Sequence, residues 1–499
     1  MSARPASRPS GDISFLVLAV AIGAVSAMLR VWGCLNDFWL DEIWSWTMAQ
    51  RVTSVWQIIG GIHHDNNHYL NTLWMYLLGD QRDWVLYRIP ALVAGTTAVI
   101  TAGLGQWRRD RIAALTAMLL LGVSYLLVLY SSEARGYGPV MAFALFAFLA
   151  AQRHLEDRRW TSAAVFWLSS VLGFLSTLTF SSCYLGILAW SGARLARERR
   201  DWWQATARAA RMHIVPVAVV LALYLVDVRH MVIGGGPRLS LGSVLKSTFA
   251  LALGAPPSGG WAIVASSCAL LLLAAGVWML WRDGSDVWIF FVVTIVLAPL
   301  LQVLVWQAPA LFVRYWLVSV LFFLLLLSQL LARLYRRDAA GKIVFLTLLS
   351  LFTIGNFWHT ARLLRYGRGS YLVALEYIVD HTHGSLVTVG SDHDFRHPMI
   401  LSFYVRYLRK RSTVQYYPRS EWPASGPEWF LAHSQDQEFH PRKTLTLGLG
   451  DRYALVKQYP YGGLSGWREF VYHNVEASRA DDGSRQPGGA AAAQPEAGR

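Results

Sequence analysis

The chain has 499 residues, of which 54% are hydrophobic and only 15% charged, and its mean hydropathy is +0.34. That charged share lies well below the roughly 25% usual in soluble domains, which excludes an ordinary soluble enzyme and implies a polytopic membrane protein. The net charge of +14 sits in short basic clusters between apolar runs, so it speaks for positive-inside topology and a lipid bilayer as solvent rather than for nucleic acid. Cys34, Cys183 and Cys268 lie in or beside apolar runs without a CxxC spacing and support neither a disulfide framework nor a zinc site.

After a polar start, residues 1–12, read as a cytoplasmic N-terminus, apolar runs approaching the ~20 residues needed to cross a bilayer recur to about Trp358. The predicted spans are 13–33, 86–106, 112–130, 138–152, 161–178, 180–195, 213–228, 262–281, 286–306, 315–333 and 343–359, with 244–256 as a short re-entrant or interfacial helix. The first is read as a retained span, because no small-residue cleavage site follows it. Placing every arginine cluster in the cytoplasm gives eleven crossings, an inner N-terminus and an outer C-terminal region, in a plasma (inner) membrane. The fold expected is thus an α-helical membrane domain over 13–360 with a long outer loop, 34–85. A small extracytoplasmic α/β domain over 361–475 and a disordered tail over 476–499 complete it. In the α/β domain, Leu386–Gly390, Tyr453–Lys457 and Glu469–Tyr472 are expected as strands and Met399–Leu408 as a helix.

Candidate chemistry collects on the outer side. Arg30, in the last turn of the first span, needs a carboxylate or a ligand anion unless it snorkels to the surface. Asp41 and Glu42 follow within Phe38-Trp-Leu-Asp-Glu-Ile-Trp-Ser-Trp46, where acidic side chains suit a helix N-terminus or a catalytic base. His63, His64, Asp65 and His68 have the ligand types to hold a divalent metal ion together with a carboxylate of the Asp-Glu pair; they equally suit sugar hydroxyls or a plain polar loop. Arg88, Glu133, Arg135, Arg314 and Tyr315 fall at outer span ends, and Tyr137 directly follows Arg135 in Glu133-Ala-Arg-Gly-Tyr137. Several guanidiniums converging on a carboxylate-rich loop are what a lipid phosphate requires while a base acts nearby.

In their order and shared sidedness, Leu40-Asp41-Glu42 with Ser45, the histidine-rich stretch before Tyr69, Tyr87 to Gly95, Glu133 to Tyr137, and Arg314-Tyr315 resemble the GT-C glycosyltransferases. The resemblance is narrower to the bacterial branch related to protein O-mannosyltransferases and the aminoarabinose transferase of lipid A. It covers about 13–335 and extends weakly to Ser465–Tyr472, similar to a closing strand of many members. It implies an inverting transfer of a hexose or pentose from a polyprenyl-phosphate-linked sugar to a cell-envelope acceptor: glycolipid, polysaccharide or protein. Asp41 would then be the base, Glu42 its neighbour orienting acceptor or metal, Glu133 and Arg135 the second outer loop, and Arg314 a ligand of the donor phosphate. Asn67-His-Tyr-Leu-Asn71 departs from the His-Pro-Pro-Leu-Tyr of many relatives, and the later loop histidine of some is absent from Phe174 to Tyr184. Asp392-His-Asp394 resembles the DxD of nucleotide-sugar enzymes but reads as an ordinary loop on the outer side. The alternatives are a secondary transporter, disfavoured by the aliphatic midplanes and the lack of internal repeats, and an inactive membrane scaffold.

Overall fold

The computed structural model describes residues 9–197, 202–236, 238–307, 310–436, 438–448 and 450–476. The predicted tail beyond 476 and most of the N-terminal segment lie outside them. The chain divides into two compact units, Met1–Arg365 and Tyr366–Arg499.

The first unit is helical. Among the described residues, eight helices are long and apolar enough to cross a membrane, or nine if the bent pair Arg111–Val123 and Tyr125–Ser131 is one span. The two remaining predicted spans correspond to helices Trp160–Ser176 and Ser181–Arg197, each of 17 residues. At 1.5 Å per residue such a helix reaches about 26 Å, short of a ~30 Å hydrocarbon core. The segment predicted as re-entrant forms the apolar helix Leu241–Ala252. The loop 34–85 folds into three helices, Leu40–Arg51, Val55–Gly60 and Tyr69–Leu78. Arg109, Arg282, Arg333, Arg336 and Arg337 from three separate basic clusters line one cavity of about 1220 Å³. These three clusters therefore share one end of the bundle.

Backbone breaks in the helices are answered by particular side chains. Pro90 cannot donate to the Leu86 carbonyl, and the Trp74 indole N–H fills that place at 3.0 Å. Pro216 leaves the Met212 carbonyl free in the same way, and the Trp167 indole donates to it at 2.7 Å. Pro299 deprives the Ile295 carbonyl, and the helix widens to a π turn at Val293–Leu297 just before it. At the 61° bend after Val123, Tyr125 N–H donates to Asn356 Oδ1 at 2.8 Å. The Leu121 and Gly122 carbonyls stranded there accept from Arg30 at 3.2 and 3.1 Å. A span read as continuous in the sequence is therefore broken, and Arg30, read as an anion ligand unless it snorkels to the surface, is 1% exposed and holds the break together.

The second unit is α/β. Strands β1 (Leu386–Ser391), β2 (Thr413–Tyr416), β3 (Trp429–Ser434), β4 (Thr444–Leu447), β5 (Asp451–Tyr459) and β6 (Arg468–Asn474) form one sheet in the order β2-β1-β3-β6-β5-β4. β1 runs parallel to β2 and β3, and the other pairs are antiparallel. Phe430, Tyr453, Phe470 and Tyr472 make a buried core on this sheet. The helix Arg396–Tyr404 connects β1 towards β2.

Candidate active site beside the first loop

Trp39 precedes the helix Leu40–Arg51, and Glu42 in its first turn accepts the Trp39 N–H at 3.1 Å, closing the orphan donor of a helix start. The same carboxylate receives Arg88 Nε at 2.8 Å and Nη2 at 2.6 Å, and the Ala134 N–H at 2.6 Å. Arg88 spends its other nitrogen hydrogens on the carbonyls of Cys34, Asn36 and Asp37. Glu42 and Arg88 are 0% and 2% exposed. They form a buried, bidentate clamp that ties the loop to the helix Val85–Trp107. The structure thus places Glu42, Arg88 and Arg30 in the scaffold around the site, with their charges directed at protein groups.

One residue earlier the helix turns Asp41 the other way. Its Oδ2 stands 3.2 Å from Arg314 Nη1 and 3.4 Å from Arg135 Nη1, with the carboxylate at the edge of solvent access. Arg314 lies over the Phe312 ring at 4.0 Å, and Arg135 over Tyr137 at 5.6 Å. Asn66 locks the corner: its Nδ2 donates to the Asp41 carbonyl at 3.0 Å and Ser45 Oγ at 3.1 Å, while its Oδ1 accepts from Arg135. Glu133 is buried beside them in sequence.

His68 starts the helix Tyr69–Leu78 and accepts the Gly136 N–H on Nδ1 at 2.7 Å. A Cβ at Gly136 would lie 1.8 Å from the Ser176 carbonyl oxygen, so only glycine lets the backbone come this near. Burial, then the Arg135 and Arg314 guanidiniums, hold the His68 pKa well below its usual value. A neutral ring accepting on Nδ1 carries its proton on Nε2. On its other side the ring turns Nε2 toward Arg135 Nη2 at 3.5 Å, so both ring nitrogens lie against the Glu133–Tyr137 segment.

The other members of the histidine-rich stretch go to separate partners. His63 Nδ1 meets Asp227 at 2.5 Å, and the Tyr69 hydroxyl donates to the same carboxylate. His64 lies 3.0 Å from Asp65 Oδ1, which also accepts the Gly234 N–H at 2.9 Å. Burial alone would raise Asp65, but the His64 hydrogen bond, the Gly234 N–H and Arg314 outweigh it and hold the carboxylate below its usual pKa. The effect is to pin the loop against the segment after the helix Trp202–Val226, where His64 and Val232 form a parallel bridge. Among the described residues the stretch does not assemble a metal-ligand group; the group of three that does gather is Asp392, His397 and His433 in the second unit.

A cavity of about 140 Å³ opens beside these residues. Asp65, His68, Tyr137 and Tyr315 line its polar side, and Leu178, Ile233, Val303 and Trp306 its apolar side. Leu304, Val305 and Trp306 on the neighbouring helix end are exposed. Sequence reasoning passed over Asn66 and Asp227. The signal for Asp227 was there: a lone carboxylate closing an apolar run is costly unless something holds it.

No family model and no curated protein sequence matches the chain. Among solved structures it is similar to ArnT from Cupriavidus metallidurans in the apo state, at 12% identity and a TM-score of 0.50, covering 94% of this chain and 99% of that one. The same protein bound to undecaprenyl phosphate gives 13% identity, a TM-score of 0.47 and coverage of 94% and 99%. The archaeal oligosaccharyltransferase AglB from Archaeoglobus fulgidus, in complex with an inhibitory peptide and a dolichol-phosphate, gives 12%, 0.47, and coverage of 85% and 70%. At nearly full coverage of both chains, this chain shares with apo ArnT a fold of multi-span helices followed by a small sheet domain.

Proposed function

We propose that this chain is an integral-membrane glycosyltransferase that takes a sugar from a polyprenyl-phosphate donor and passes it, with inversion, to an acceptor hydroxyl on the extracytoplasmic face. The observation that carries the reading is the position of Asp41, one carboxylate between two guanidiniums, one of which, Arg135, faces His68 in the lining of a largely apolar cavity. It is supported by the fold shared with apo ArnT, a lipid A aminoarabinose transferase; a solved ArnT structure carries undecaprenyl phosphate.

In this mechanism the donor phosphate enters between Arg135 and Arg314 and takes over their charge. Asp41, relieved of its two partners, accepts the proton of the acceptor hydroxyl as that oxygen attacks the anomeric carbon, a contribution of typically ~10²–10⁴-fold. The bond from the anomeric carbon to the phosphate oxygen breaks, and the polyprenyl phosphate leaves as an anion stabilised by the arginines, without need of a general acid. His68, Tyr137 and Tyr315 orient phosphate or sugar. Leu178, Ile233, Val303 and Trp306 receive the first isoprene units. Glu42, Arg88, Arg30 and Asn66 hold Asp41 in place.

The test is transfer of radiolabelled sugar from a panel of polyprenyl-phosphate sugars to membrane extract by purified wild type and Asp41→Asn. Transfer by wild type that collapses in an equally folded variant supports the assignment; equal transfer by both removes Asp41 as the base.

A further inference from the structure

Beyond the transferase reading, and independent of it, the second unit holds a group of side chains that the fold does not explain. Asp392 directly follows β1, His397 opens the helix Arg396–Tyr404, and His433 is on β3. One ligand atom from each lies within 4.8 Å of the others. Asp392 Oδ1 is 2.8 Å from His433 Nδ1 and 3.6 Å from His397 Nδ1. A tetrahedral ion with bonds of about 2.0–2.1 Å keeps its ligand atoms about 3.3 Å apart, so these separations bracket what such an ion requires.

Two further observations point to a ligand. His397 is 1% exposed, and its Nδ1, directed at Asp392, is buried without a hydrogen-bond partner. An orphan imidazole nitrogen in such a place is expensive unless something occupies it. On the far side of the same ring, Nε2 faces Glu469 Oε2 at 3.4 Å, and Glu469 is the cross-strand partner of His433 in the β3–β6 ladder. A carboxylate behind a histidine is how metal-bound imidazoles are oriented: it takes the proton on Nε2 and turns the Nδ1 lone pair forward. The Trp467 ring stacks on His433 at 4.0 Å and 29°, fixing that ring as well.

The position in the sheet agrees. The chain leaves β1 through a helix towards β2 on one side, while β3 lies on the other, so the carboxyl ends of β1 and β3 frame the crevice where α/β sheets bind ligands. The geometry points to a divalent metal site of the zinc class, held by Asp392, His397 and His433 with Glu469 as the orienting carboxylate. Three protein ligands leave a fourth position for water or an anionic group, on the side where Asp392 is exposed. In the metal-free protein the His433 N–H donates to Asp392; binding replaces that proton with the ion.

The experiment uses the full chain in detergent, purified without a polyhistidine tag, stripped with chelator and titrated with Co²⁺. One equivalent should bind with the visible absorption of a four-coordinate ion and be displaced by Zn²⁺. Asp392→Asn and His433→Gln should abolish the band, and Glu469→Gln should weaken binding ~10–100-fold. Histidine footprinting of wild type with and without Zn²⁺ locates the ion without any variant: His397 and His433 should become protected while His63 and His64 do not change. No stoichiometric uptake by wild type, uptake indifferent to Asp392→Asn and His433→Gln, or protection confined to His63 and His64 would each overturn the assignment.

Discussion

Asp41 Oδ2 and Arg314 Nη1 lie 3.2 Å apart, although one belongs to the first loop and the other to the short helical turn Val313–Trp316. In the proposed mechanism this contact must break when a phosphate arrives, so Asp41 opposes donor binding while enabling transfer. Asp41→Asn should therefore lower transfer by ~10²–10⁴-fold and at the same time tighten binding of polyprenyl phosphate, measured by tryptophan fluorescence or calorimetry. Weakened binding in the variant would show that Asp41 helps to hold the donor instead.

Arg314→Lys and Arg135→Lys test the other half of the pair. Lysine keeps the charge but loses the planar fork suited to a phosphate. The expected result is a donor KM raised about tenfold or more, the ~1.4 kcal/mol cost of one charge-assisted contact, with the melting temperature little changed. A variant that melts early with an unaltered KM would assign the guanidinium to structure.

Glu42 and Arg88 should behave in the opposite way. Removing one member of a buried pair leaves an uncompensated charge and costs roughly 3–5 kcal/mol. Glu42→Gln and Arg88→Met are each expected to lower the thermal midpoint in detergent strongly, and the double variant by less than the sum of the two. A Glu42→Gln protein of wild-type stability that has lost only turnover would place Glu42 in the chemistry.

His68 gives a pH dependence with a definite sign. Its folded pKa is depressed by burial and the two arginines, while in the unfolded chain it titrates near ~6.5. Below that value the unfolded state binds a proton that the folded state refuses, so stability is fully present above about pH 6.5 and falls as pH drops, by up to ~1.4 kcal/mol per unit from this group. Thermal midpoints measured from pH 7.5 to 5 should decline less steeply in His68→Asn than in wild type.

Much of the membrane unit was legible because hydrophobic length and arginine clustering are properties of each segment alone. The bend after Val123 was not: the donor that makes it tolerable, Asn356, is far away in sequence. For the same reason Arg30 and Arg88 looked like phosphate ligands. Their neighbours along the chain say that a cation is present, but only the fold shows that Gly122 and Glu42 receive them. Asp41 and Glu42, adjacent in sequence, separate because successive helical residues point about 100° apart. In the second unit β2, β3 and β4 escaped notice, β2 and β4 as four-residue strands of alternating exposure, and Asp392 read as a loop residue because both of its histidine neighbours come from other elements.

The two proline carbonyls answered by tryptophans bear on how the chain is assembled. Trp74 and Trp167 each precede in sequence the proline whose freed carbonyl they satisfy, Pro90 and Pro216. During synthesis the donor has already been made when the proline-bearing helix emerges, so the exposed carbonyl can be matched as soon as that helix enters the membrane. Replacing either tryptophan by phenylalanine keeps the ring and removes the N–H, at an expected cost of ~1–3 kcal/mol for the stranded carbonyl. The loss should appear as slower insertion of that span in translocation assays as well as lower stability of the finished protein, tying the order of the sequence to the order of its assembly.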